Sequence, residues 1–211
     1  MFKLNSYFTT KQFVVASLAS VVLSTQVSAK WVSAKYDIPH FAQEKAYGCG
    51  YATTKMWIHG IKGESPSQTK IRNWKLRFMW NGINAGEFEK IMEHFTGKKF
   101  KYHNLKGKRK AQKLVYEELR KQRRPIAIAA ATIKADGSKR AGGHWLLMYS
   151  ADSKGKGLGY EVRRAKLHDS LFGSSFARDY RVISHYRTLS NSELFNHWVP
   201  VFDGNYQAVE D

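Results

Sequence analysis

The chain has 211 residues and a formal net charge of +18, with 35 Lys and Arg against 17 Asp and Glu. A single cysteine excludes an intrachain disulfide and a thiolate metal cage, so a packed core must hold the fold. With 43% hydrophobic residues, including six Trp, eleven Tyr and twelve Phe, one domain of this length can supply that core.

The first element in chain order is a targeting segment. Lys3 and Lys11 mark a basic start, Phe13 to Leu23 is a short apolar run, and Val27-Ser28-Ala29 offers small residues for cleavage. A membrane-spanning helix needs about 20 apolar residues, more than this run provides, so residues 1–29 are expected to be a signal peptide. A mature domain over 30–211 follows, without a later span, exported to the periplasm or the medium and monomeric.

Within that domain, residues 47–60 predict a glycine-bracketed turn running into a helix, with Gly60 or Gly63 as its stop. Ser67 is placed to cap a helix through Ile71, Trp74 and Phe78. Residues 82–86 form a loop, and Glu87–Phe95 is helical, with Phe88, Ile91, Met92 and Phe95 on one face. A lysine cluster from Lys98 to Lys113 leads into a third helix over about Lys110–Gln122. The period then changes. Ile126–Ile133 reads as a buried strand, Asp136-Gly137 as a turn, and His144–Ser150 and Tyr160–Asp169 as strands joined by a loop at 151–159. Tyr180–Leu189 is strand-like, and Ser192 can cap a short helix through Trp198. Helices first and antiparallel strands second make the fold α+β.

The lone Cys49 sits between Gly48 and Gly50 at the mouth of the first helix, where backbone N–H groups and the helix dipole favour a thiolate. The glycines would let a substrate backbone approach the sulfur. Gln43, six residues earlier, could donate its amide to an oxyanion alongside the Cys49 N–H. A thiolate nucleophile needs a base that later acts as an acid, and histidine suits that task near neutral pH. His144 follows Gly142-Gly143 and opens an apolar strand. His59, His94 and His185 lie within periodic elements, His40, His103 and His197 carry no pattern, and His168 is the rival beside Asp169. In a hairpin centred between Gly155 and Lys156, His144 stands opposite Leu167 and Asp169 is its diagonal neighbour on the same face. Asp169 would then orient the imidazole; its alternative role is to initiate the turn at Ser170.

The ordered set of Gln43, Cys49-Gly50-Tyr51-Ala52, Gly142-Gly143-His144-Trp145 and Asp169 resembles the papain-like cysteine peptidases, and within them the bacterial double-glycine leader peptidases and their stand-alone relatives. Ile38-Pro39, Gly86-Glu87-Phe88, Arg124-Pro125 and Ser192-Glu193-Leu194 extend the likeness over most of residues 36–200. The family has proline where this chain has Ser170. The resemblance implies an N-terminal helical lobe carrying the Cys helix and a C-terminal antiparallel sheet lobe. It also implies Cys49 as nucleophile, His144 as base, Asp169 as orienting acid, Gln43 as oxyanion donor, and a peptide or protein substrate.

Neither a cofactor nor a metal is expected. There is no His-Glu-x-x-His, and Gly155-Lys156-Gly157-Leu158-Gly159 lacks the spacing of a phosphate loop. A transglutaminase-like acyl transferase would use the same three residues. A non-catalytic module would instead use the basic clusters, at Lys98–Lys113 and at Arg120, Lys121, Arg123 and Arg124, to hold anionic envelope polymers or lipid heads.

Overall fold

The structure, a computed structural model, describes residues 31–74, 82–156, 159–184, 187–198 and 205–211. The signal-peptide segment, Phe78 and His185 lie outside them. The helical part comprises α1 (Cys49–Lys62), α2 (Gln68–Asn73), α3 (Ala85–Thr96) and α4 (Lys108–Val115), with α5 (Asn191–His197) late in the chain. The strands are β1 (Trp31–Ser33), β2 (Lys101–Lys106), β3 (Ile126–Ile133), β4 (Lys139–Lys156), β5 (Gly159–Asp169), β6 (Thr188–Ser190) and β7 (Asn205–Glu210). They form an antiparallel sheet in the order β2-β7-β3-β4-β5-β6. β1 extends the line of β3 along β4, pairing Trp31 with Asp152 and Ser33 with Ser150.

Local chemistry sets the helix limits. Ser67 caps α2 by accepting from the Lys70 N–H, as the sequence suggests, but α2 ends at Asn73. Asn84 and Glu87 close a capping box on α3. α1 runs through Gly60 and stops at Gly63. The third predicted helix starts two residues early, and from Tyr116 to Gln122 it widens into a π-helical turn that Arg123 ends in the left-handed conformation. The cap of α5 is Ser190 rather than Ser192. Ser190 accepts from the Glu193 N–H while the Glu193 carboxylate takes the Ser190 N–H. Of the strand expected over Tyr180–Leu189, the described residues keep a bridge from Tyr180 to Lys134 and the short β6.

Three strands have no counterpart in the sequence reading: β1, β2 and β7. β2 (KYHNLK) is an edge strand of exposed and half-buried residues inside the lysine cluster, pairing along its length with β7. Lysines at a sheet edge discourage pairing with another chain.

The core lies where α1 and α3 meet the sheet. Trp57 packs edge-on to Phe100, Phe88 sits 4.8 Å from Trp145 between ring centroids, and Met56, Ile91 and Met92 are fully buried around them. At about 25 cal/mol per Å² of apolar surface, residues of this size supply much of the folding free energy. They also fix the start of α1 against the middle of β4.

Candidate active site

Cys49 is the first residue of α1 and is buried. Its N–H is among those a helix leaves without an intrahelical acceptor. Two bonds anchor β4 beside it, one to α1 and one to the segment that leads into α3. Thr53 Oγ1 donates to the Trp145 carbonyl at 3.2 Å, and the Trp145 indole N–H donates to the Ile83 carbonyl at 2.9 Å. Ile83 lies over Gly50 so closely that a Cβ there would meet its side chain at 2.2 Å. Gly50 therefore serves the packing of the protein's own chain, and the expected approach of a substrate backbone is not its purpose.

His144 and Asp169 come together through the β4–β5 hairpin, in a register different from the one expected. The tip pairs Lys156 with Gly159, and Asp169 stands opposite Leu146, not two residues beyond a His144–Leu167 pair. Two bulges interrupt the ladder, with Arg163 extra on β5 and Tyr149 extra on β4. Each bulge alone would flip the alternation of faces, and together they cancel. Asp169 thus remains the diagonal neighbour of His144 on the same face, and the imidazole Nε2–H donates to Asp169 Oδ1 at 2.7 Å.

That leaves the other ring nitrogen toward the thiol side, and Cys49 is near enough to help raise the His144 pKa. Cys49 Sγ lies 3.6 Å from the Gly143 carbonyl, and Gly143 has φ 82°. Asp169 Oδ1 also accepts from the Leu171 N–H at 2.9 Å, and Oδ2 from the Ile183 N–H at 3.0 Å. Burial opposes charge on both side chains. The Asp169 charge and bond, with a smaller contribution from Cys49, nevertheless raise the His144 pKa to about 10. Against the same burial, His144 and the two backbone donors hold the Asp169 carboxyl below its ordinary range.

The rival His168 points to the opposite face. It donates to the Ile38 carbonyl at 2.9 Å and stacks on Tyr149. His40 donates to the Asp169 carbonyl at 2.8 Å and so braces the backbone behind the carboxylate. Gln43 is buried and borders the same cleft as Cys49. Its amide donates to the Lys45 and Ala46 carbonyls at 3.0 and 3.2 Å, while its Oε1 accepts from Ser170 Oγ at 3.2 Å. Ser170, which stands in place of the proline of the resembled family, is therefore a partner of Gln43. The sequence reading missed this bond, together with Thr53, Trp145 and Ile83. The Trp145 position after Gly-Gly-His was the visible hint.

A cleft of about 300 Å³ opens over Cys49 and His144, bordered by Gln43, Ala46 and Tyr47 on the helical side and by Thr132, Lys134 and Tyr180 from the sheet side. Tyr47 is the one large hydrophobic side chain exposed among the described residues, at 62%. Among those residues no group of three metal-ligating side chains converges.

No family model matches the sequence, and no curated protein does. Solved structures do. A protein described as a C39-like peptidase from Bacillus anthracis superposes with a TM-score of 0.52 at 14% identity, covering 86% of this chain and 96% of its own. A double-glycine-motif protease from an AMS/PCAT transporter, in complex with a leader peptide, gives 0.47 at 15% identity over 84% of this chain and 94% of its own. The peptidase domain of Streptococcus ComA, a bifunctional ABC transporter, gives 0.45 at 16% identity over 82% and 96%. The α+β fold of this chain is that of the C39-like, papain-like structures.

Proposed function

We propose, from a fold held in common with C39-like peptidases, that this chain is an exported cysteine peptidase or amidase working through Cys49, His144 and Asp169. The observation that carries the proposal is the buried relay in which Asp169 holds His144 and His144 meets Cys49 at a helix start inside a cleft.

The chemistry follows from the donors in place. Cys49 Sγ passes its proton to His144 and attacks an amide carbonyl, forming a C–S bond. The carbonyl oxygen gains charge beside the Cys49 N–H, and removing a donor of this kind costs about 3–4 kcal/mol in related chemistry. Gln43 would serve as the second donor by redirecting one amide hydrogen from the Lys45–Ala46 turn, with Ser170 still gripping its Oε1. His144 protonates the leaving nitrogen as the C–N bond breaks. Water then adds to the thioester, gives its proton to His144, and the C–S bond breaks to release the acid. Cys49→Ala should abolish turnover of any peptide the wild type cleaves, with an unchanged circular dichroism spectrum. Intact-mass spectra should show an acyl-enzyme on Cys49 in the wild type only. Undiminished cleavage by Cys49→Ala ends this reading. Product formation that depends on an added amine would assign acyl transfer in place of hydrolysis.

A second role is favoured by the outer face of α4 and β2. Lys101, Lys106 and Lys110 are exposed there and have no carboxylate partner among the described residues. Such a face suits anionic envelope polymers or lipid heads. Retention on anionic vesicles that falls steeply between low and physiological salt would support it, and salt-independent retention would remove it.

A further inference from the structure

One wall of the cleft has a charge that the proposed bond cleavage does not use. Ala130 pairs with His144 across β3 and β4, so the two side chains share a face. The pairing with β4 shifts register between Ala131 and Thr132, and past that shift Thr132 and Lys134 both border the cleft. Tyr180 is drawn beside Lys134 by an isolated antiparallel bridge, secured by the Ala135 N–H on the Asp179 carbonyl at 3.1 Å and the Arg181 N–H on the Ile133 carbonyl at 2.8 Å. The wall therefore presents an ammonium and two hydroxyls.

Among the described residues, no carboxylate borders the cleft. The acid that Lys134 influences, Asp136, is fully exposed in the turn beyond and accepts from the Ser138 N–H at 2.7 Å. The guanidinium of Arg181 is turned onto the Ala135 carbonyl. A peptide in the cleft would thus meet the exposed Lys134 ammonium, with no carboxylate among the cleft-lining residues described to neutralise it.

We propose that Lys134, with Tyr180 and Thr132, determines specificity by recognising a carboxylate on the substrate. The inference rests on Cys49 being the nucleophile of this cleft. Along the strand, about four residues or ~13 Å separate the level of His144 from Lys134. The carboxylate therefore lies within about four residues of the scissile bond. It is either an Asp or Glu side chain or the free C-terminus of the substrate.

Two measurements test this, one of which needs no known substrate. The rates at which iodoacetate and iodoacetamide alkylate Cys49 are compared by mass spectrometry at low salt in the wild type, Lys134→Met and Lys134→Glu. Lys99→Met, whose side chain is 95% exposed on the remote surface, is the control. The iodoacetate-to-iodoacetamide ratio should fall about fivefold in Lys134→Met and further in Lys134→Glu, with no change in Lys99→Met. The second measurement uses peptides blocked at both ends, with Asp or Asn scanned through four positions either side of the cleaved bond, and a neutral peptide with a free C-terminus. Preference for Asp over Asn assigns a side-chain carboxylate, and preference for the free terminus assigns a terminal one. Either preference should vanish in Lys134→Met and persist in Lys99→Met. If both reagents label Cys49 and the ratio ignores Lys134, the inference is wrong and the reactive thiol stands. If neither reagent labels native Cys49, the thiol reading fails and takes this one with it.

Discussion

Asp169 distributes its two carboxylate oxygens over three donors, His144, Leu171 and Ile183, and so joins the imidazole to the turn that follows β5. Asp169→Asn would set an amide N–H against one of these donors. Leaving a buried donor unsatisfied costs about 1–3 kcal/mol, so urea unfolding should show a loss of that size together with a fall in turnover of about 10²-fold or more. The pH dependence has a definite sign. The His144 pKa rises from an ordinary 6.5 to about 10, so its contribution to stability is complete below 6.5 and disappears as pH climbs through 10. Asp169 is held low, so its share is present above 3.8 and is lost as pH falls below it. Melting temperatures measured from pH 6.5 to 10 should decline in the wild type and lose that part of the slope in His144→Gln; parallel curves would contradict the pairing. That His144 and Asp169 meet was legible, because strand alternation and the hairpin put them on one face. The Gln43–Ser170 bond was not, because it joins residues 127 positions apart.

At the scale of elements, the β4–β5 hairpin makes a prediction that single substitutions cannot. Deleting Tyr149 removes one bulge and should turn Asp169 away from His144, as should deleting Arg163. Deleting both restores the parity, so the double deletion should recover Cys49 alkylation or turnover that each single deletion loses. Failure of the double deletion while it stays folded would show that the bulges do more than set the register. Helix ends offer a milder test: Ser190→Ala should cost about 1 kcal/mol and Ser192→Ala far less, since Ser190 accepts from the Glu193 N–H. The sequence showed the helices through caps and period, and it showed β3 and the middle of β4 as apolar runs. β2 and β7 were hidden for a physical reason: Tyr102 and Leu105 sit on opposite faces of β2, and the ladder to β7 joins chain segments about a hundred residues apart.

For the molecule as a whole, the +18 charge conceals a place where acids gather. Glu118, Glu210 and Asp211 surround Arg124 at 3.6 to 3.7 Å, tying the π-helical turn to β7. Burial, and then the charge of Glu210, push the Glu118 carboxyl up to about 7. A raised carboxyl stabilises most when protonated, so this contribution is full below 4.5 and is lost as pH rises through 7. Glu118→Gln should flatten the stability profile between pH 4.5 and 7 without touching the later decline assigned to His144. A profile unchanged in that window would place the charge elsewhere. Composition announced the excess of cations but was silent on this cluster, which exists only once β7 has returned to the sheet.

Gly143, whose carbonyl faces the Cys49 sulfur, combines a φ of 82° with open space where a Cβ would stand. Substitution there would meet no crowding, and its cost would come from the backbone, which asks an L-residue for a conformation of the wrong hand. Ala, Ser and Leu should therefore destabilise by similar amounts, about 1–2 kcal/mol, with Asn spared part of it. A cost that does not grow with side-chain volume would identify position 143 as selected for handedness and indifferent to bulk.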